Sequence, residues 1–270
     1  RRVHAETYAL RQKKFVLRQG RSGIPRPFPG CGEPVLGRLQ DHLDEWFEAR
    51  KRGRNSRVMI FRRGPGVWIV VRHGQTFRRE GSIRAGKSST EYFRPERYDV
   101  LLYDSVNGTL AIHADGVRLI DCYLQSIGLF FFEDDGHFAI DHKVSLDPLK
   151  LLGRNALACD DIPGIDEVRL IELTRFRGGP WKRTSIEKAT DVFAALEEDG
   201  YSLPPTARLG SAVLEVRFAG AEKPRRLTLR PPNTVVYART EDRDIIDPFL
   251  RARGFLPAER PSGAAVLAGA

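Results

Sequence analysis

From Pro34 to about Arg50 the apolar positions Val35, Leu36, Leu39, Leu43, Trp46 and Phe47 recur at helical spacing, with Pro34 suited to the first turn. This pattern predicts a helix with one buried face. Lys51-Arg52-Gly53-Arg54 follows, placing cations at the negative end of the helix dipole and Gly53 at the stop. The period then falls to two. Val58–Phe61 and Val67–Val71 read as strands joined through Gly64-Pro65-Gly66, and Thr76–Arg79 as a third. Gly81–Thr90 is small, polar and aperiodic, which predicts a mobile loop. Tyr98–Tyr103 and Thr109–Ala114 form a hairpin pattern around Asn107-Gly108, a strong turn signal. Val117, Ile120, Leu124 and Ile127 then mark a helix expected to stop at Gly128.

In the second half, Val168–Phe176 reads as a strand and Ser185–Glu198 as a helix with Ala189, Val192, Phe193 and Leu196 inward. Val213–Phe218 and Arg225–Arg230 pair across Gly220, Pro231-Pro232 breaks the sheet, and Glu241–Arg253 forms a last helix. The order predicts an α+β fold: mostly antiparallel sheets with packed helices, behind a basic N-terminal extension. The expected division is a basic arm and Pro/Gly-rich linker (1–34), α+β domains at 35–150 and 151–257, and a flexible tail (258–270).

Composition narrows the class. An apolar content of 41% over 270 residues supports a substantial core. The longest apolar run, Ile127–Phe132, is far short of the roughly 18 residues that span a bilayer, so no membrane partner is expected. The start, Arg1-Arg2-Val3-His4, has no apolar segment behind it, so no signal peptide is expected. Without a Met, the native N-terminus is expected further upstream. Cys31, Cys122 and Cys159 are widely spaced, which argues against a disulfide framework or zinc ribbon and for a reducing cytoplasm.

Charge changes the picture most. Residues 1–94 hold 22 Lys/Arg against 8 Asp/Glu, whereas 95–270 hold 22 against 27. The expected source of much of the preference for Arg over Lys is the codon bias of a GC-rich bacterial genome, which does not explain where the charge lies. A basic third ahead of a mildly acidic remainder predicts a polyanion partner. The expectation is a non-enzymatic, nucleic-acid-binding subunit of a larger DNA- or RNA-handling complex, its acidic half free to contact other protein subunits. The alternatives are a metal-dependent nuclease and a pure protein-interaction subunit whose basic arm docks on an acidic partner chain. The candidate phosphate contacts are Arg11, Lys13, Lys14, Arg18, Lys51, Arg52, Arg54, Arg57, Arg62, Arg63, Arg72, Arg78 and Arg79, with a smaller basic face at Arg226 and Arg230. Phe61, Trp68, Phe77, Tyr92 and Phe93 lie among them and suit base stacking where exposed.

Catalytic signatures are sparse, and no cofactor is expected on the leading reading. Asp99 opens one strand of the 98–114 hairpin, and the other ends Ile112-His113-Ala114-Asp115. This resembles the core of the PD-(D/E)xK nuclease superfamily, which implies paired carboxylates for Mg²⁺ and a Lys for water. The chain departs from that pattern at His113 and Asp115. The alternative metal-dependent site therefore rests on Asp99 and Asp115, or on Glu172 in a second partial match. Glu133-Asp134-Asp135-Gly136-His137, continuing to Asp141, is a weaker cation candidate through Asp135, His137 and Asp141. Gly81–Ser88 fits the GxxxxGK[ST] spacing, but Phe93-Arg94-Pro95 is hostile to the helix that a phosphate loop requires.

Overall fold

The computed structural model describes residues 14–20, 25–30, 32–63, 66–139 and 143–258. Its elements are mixed α and β, and its sheets are mostly antiparallel. The chain forms two compact units: among the described residues, 19–139 belong to the first, and 14–18 with 143–258 to the second. Arg11 and Lys13 of the expected arm lie outside the described residues. Lys14–Gly20 is a strand (β1), whose first residues Lys14–Val16 pair within the second unit and whose last two, Gln19 and Gly20, pair within the first.

In the first unit, helix α1 (Glu33–Glu48) precedes β2 (Arg57–Arg63), β3 (Gly66–Gly74), β6 (Glu96–Asp104) and β7 (Thr109–His113), which lie in the order β2-β3-β6-β7. Leu39, Leu43 and Phe47 form the buried stripe of α1, four residues apart as the periodicity predicts. Helix α2 (Val117–Phe132) packs on α1 and runs through Gly128, the expected stop. The reason is close approach: a Cβ at Gly128 would lie 2.4 Å from the Asp134 carbonyl oxygen, so glycine lets the chain fold back over the helix. The helix ends instead at Glu133, whose φ of 58° is left-handed. A two-residue strand, β8 (Phe138–Ala139), pairs with the end of β1.

Gly81–Thr90 is not a loop. Strands β4 (Arg78–Arg84) and β5 (Lys87–Phe93) zip into a ribbon that forms a sheet of its own. Ala85 and Gly86 turn it with φ of 48° and 76°, the double positive φ of a type I′ hairpin. The Walker-like spacing thus spans two strands and a turn, with no helix to meet a phosphate.

In the second unit, α3 (Asp147–Leu151) precedes β9 (Ile165–Gly178), β10 (Arg183–Lys188), α4 (Val192–Glu198), β11 (Arg208–Phe218), β12 (Arg225–Arg230), β13 (Thr234–Val236) and α5 (Arg243–Ala252). The sheet order is β10-β9-β11-β12-β13-β1. The helix expected from Ser185 is instead edge strand β10 followed by the shorter α4. Asp191 divides them, because its side chain accepts from the amides of Phe193 (2.9 Å) and Ala194 (3.1 Å) and so caps the helix. Ala212, Leu214, Val216, Leu227 and Leu229 are fully buried, as their alternation predicts.

Candidate nucleic-acid interface

The end of α1 sets the geometry. Ala49 closes the helix, Lys51 takes a left-handed φ of 60°, and Gly53 follows at 84°, so the chain reverses within one basic turn. Asn55 ties this turn to the end of β3 by accepting from the Gly74 amide (3.2 Å). Arg94 donates to the Lys51 carbonyl and lies 4.1 Å from the Phe77 ring centre. Arg72 reaches the Asn55 carbonyl (3.5 Å), and Arg78 the Gln75 amide oxygen (3.2 Å). Lys51, Arg52, Arg54, Arg57, Arg72, Arg78 and Arg94 therefore gather at one corner of the sheet, with Phe77 63% exposed among them.

These cations have few anionic neighbours. Arg72 is 3.6 Å from Glu96, but among the described residues Arg50, Lys51, Arg52, Arg54, Arg57, Arg78, Arg79 and Arg94 form no ion pair. Several lie over rings instead: Arg50 is 3.7 Å and Arg52 5.9 Å from the Trp46 ring centre, and Arg79 is 5.9 Å from that of Tyr92. Each such contact at an exposed site contributes about 0.5–1 kcal/mol and leaves the charge available to a further partner. Beside them a cleft of about 470 Å³ is lined by Trp46, Arg50, Arg52, Thr76 and Asp115–Leu119. The start of α2 forms one wall and has no side-chain cap, so its partial positive charge adds to that of the arginines.

The predicted phosphate contacts do not all meet here. Arg62 and Arg63 sit at the opposite end of β2, about 20 Å from Arg57 at the rise of a strand. Arg18 is buried in the second unit and donates to the Leu17 carbonyl (3.2 Å), which removes it from any surface a phosphate reaches. Lys14 is exposed in that same unit. Arg226 and Arg230 are exposed there too, but Glu215 lies directly across from Arg226, while Arg169 and Arg217 both contact Glu167 (2.9 and 3.5 Å). That face is mixed in charge, not basic. Arg50, Arg94 and Arg118 at the corner and cleft are residues that sequence reasoning missed. Arg50 adjoins the recognised Lys51 run, whereas Arg94 carries no local signal.

The alternative catalytic carboxylates are committed elsewhere. Asp99 is fully buried; its Oδ2 accepts from the Tyr123 hydroxyl (2.8 Å) and lies 2.9 Å from His73 Nε2, and its Oδ1 accepts from Arg97 Nε (3.4 Å). His73 Nδ1 meets the Gly74 carbonyl (2.9 Å), and its ring stacks on Phe47 at 4.3 Å. Burial, reinforced by the Asp99 charge, pushes the Tyr123 phenol well above its ordinary pKa and keeps it a donor. A carboxylate so enclosed is a structural anchor and does not offer itself to Mg²⁺. Asp115 pairs with Arg97 (2.7 Å), and Glu172, in the second unit, pairs with Lys188 (2.9 Å). His137 is buried and stacked on Phe132 (4.1 Å), Asp135 is exposed in its turn, and Asp141 lies outside the described residues. Among the described residues no group of three or more His, Cys, Asp or Glu is placed to hold a metal ion. None of their helices is long and apolar enough to cross a membrane.

No protein-family model matches the chain, and no curated protein is similar enough to it to count as a relative.

Proposed function

We propose that the chain binds nucleic acid through the basic corner of its first unit, as a non-enzymatic subunit of a larger DNA- or RNA-handling complex. The observation that carries the reading is the convergence of Lys51, Arg52, Arg54, Arg57, Arg72, Arg78 and Arg94, of which, among the described residues, only Arg72 forms an ion pair, with Glu96. Cations held close together repel one another, and a polyanion laid across them relieves that repulsion while releasing its own counterions. Exposed Phe77 and Tyr92 offer rings to bases that leave the stack. Cys122 and Cys159 are free thiols, which suits a reducing cytoplasm.

The second unit supplies the contacts to other subunits. Trp181 is 85% exposed on the β9–β10 connection, with Phe176 and Ile186 exposed on the adjoining strands. Aromatic groups of this kind are common anchors of protein interfaces.

The test is fluorescence anisotropy with generic duplex and single-stranded probes, titrated from about 50 to 300 mM salt. Contact with five or six phosphates predicts a slope of log K against log salt near roughly −5. Absence of binding to every nucleic-acid probe at the lowest salt refutes the reading. Binding of an acidic protein alone would assign the corner to a protein partner instead.

A further inference from the structure

We propose that the β4–β5 ribbon enters the major groove of duplex DNA, with the face bearing Arg79, Gly81, Ile83, Ser88, Thr90 and Tyr92 turned to the base edges; this rests on the nucleic-acid reading above. Each strand of the ribbon spans about 20 Å, and its two strands lie about 5 Å apart. A major groove about 12 Å wide admits a two-stranded ribbon with its side chains. The deep, narrow major groove of A-form RNA does not.

The register decides which face turns inward. Cross-strand partners share a face, so Arg79/Tyr92, Gly81/Thr90 and Ile83/Ser88 lie on one side. Arg78/Phe93, Glu80/Glu91, Ser82/Ser89 and Arg84/Lys87 lie on the other. Only the second side carries carboxylates, and a carboxylate pressed between two walls of phosphate is repelled. The first side has none. It offers an Arg able to grip guanine O6 and N7, hydroxyls for either base type, and an apolar Ile83, 79% exposed, for a thymine methyl. Nothing lies within 4 Å of a Cβ built at Gly81, so the backbone itself can approach the bases.

The acidic face holds the ribbon together. Ser82 and Ser89 hydroxyls hydrogen-bond at 2.6 Å, Ser82 donates to Glu91 (3.3 Å), and Arg84 pairs with Glu91 (2.7 Å). A two-stranded ribbon with no core of its own is marginal in water, and a groove supplies the missing surface.

Ile83→Glu and Lys87→Gln each lower the ribbon's charge by one unit, on opposite faces. Affinity for duplex DNA, duplex RNA and single-stranded DNA is measured for the full chain and both variants, with dimethyl sulfate protection of guanine N7 marking major-groove occupancy. The full chain is expected to prefer duplex DNA and to protect N7. Ile83→Glu is expected to lose that protection and about tenfold in affinity, while Lys87→Gln keeps the protection and loses less than about threefold. Circular dichroism checks folding, and Thr90→Glu, on the same face, replaces Ile83→Glu if that variant unfolds. Unprotected N7 in a complex that does form, or equal losses in the two variants, overturns the ribbon assignment and leaves corner binding standing. Failure of the full chain to bind any probe at low salt overturns the nucleic-acid reading, and the ribbon assignment with it.

Discussion

Between residues 50 and 97 the first unit has 14 Lys/Arg and 3 Asp/Glu, while the second has 19 and 17 across 143–258. The second unit pairs many of its cations where they stand. Arg154 bridges Asp191 (2.6 Å) and Glu197 (3.3 Å), Arg175 pairs with Glu187, Arg225 with Asp242, and Lys188 with Glu172. In the first unit the fully buried carboxylate, Asp99, faces the core, while of the corner cations only Arg72 has a carboxylate partner among the described residues, Glu96. The number of arginines is therefore a poor guide to a binding surface. What separates the basic corner from the paired arginines of the second unit is whether a carboxylate stands opposite.

The two units should respond differently to loss of a carboxylate. Asp99→Ala leaves His73, the Tyr123 hydroxyl and Arg97 without their shared acceptor inside the core. Urea or guanidinium unfolding is expected to show a loss of about 3–5 kcal/mol. Unchanged stability would contradict the anchoring role and reopen Asp99 to chemistry. Asp191→Ala in the second unit removes a partly exposed cap and costs about 1–2 kcal/mol by the same assay. Its pH dependence is specific. Burial alone would raise the Asp191 pKa, but Arg154 and the amides of Ala194 and Phe193 outweigh burial and hold it below the ordinary carboxylate value. A depressed carboxylate pKa stabilises the fold above the unfolded-state value, and that contribution fades as pH falls through the folded one. The gap between wild type and Asp191→Ala should therefore narrow only in acid, and a gap that widens there would contradict the cap.

Much of the fold was legible because burial writes itself into spacing or into short apolar runs. α1 and the β11–β12 pair keep one face in the core, whereas β3 and the 98–113 hairpin are buried on both faces and show as short apolar runs. The ribbon was not legible, because both of its faces meet solvent and no apolar period remains to be read. β10 was read as part of a helix for a related reason: Ile186, on this edge strand, is exposed, and Val192, Phe193 and Leu196 of the next element mimic helical spacing upstream. The address of the basic corner was visible as charge. Its membership was not, since Arg57 and Arg63 share a strand but lie at opposite ends. Arg18 was misplaced because nothing local distinguishes an inward-facing Arg from an outward one, and Arg94 joins the corner only through the fold.

Paired charge reversal tests the central claim most directly. Arg52→Glu/Arg78→Glu in the first unit and Arg217→Glu/Arg226→Glu in the second change the total charge equally. With a duplex DNA probe at about 100 mM salt, the first pair should lower affinity at least about 100-fold and flatten the salt slope by roughly 2, while the second should change affinity less than about threefold. Equal losses from the two pairs would contradict the account, because binding would then follow net charge and not the unneutralised corner.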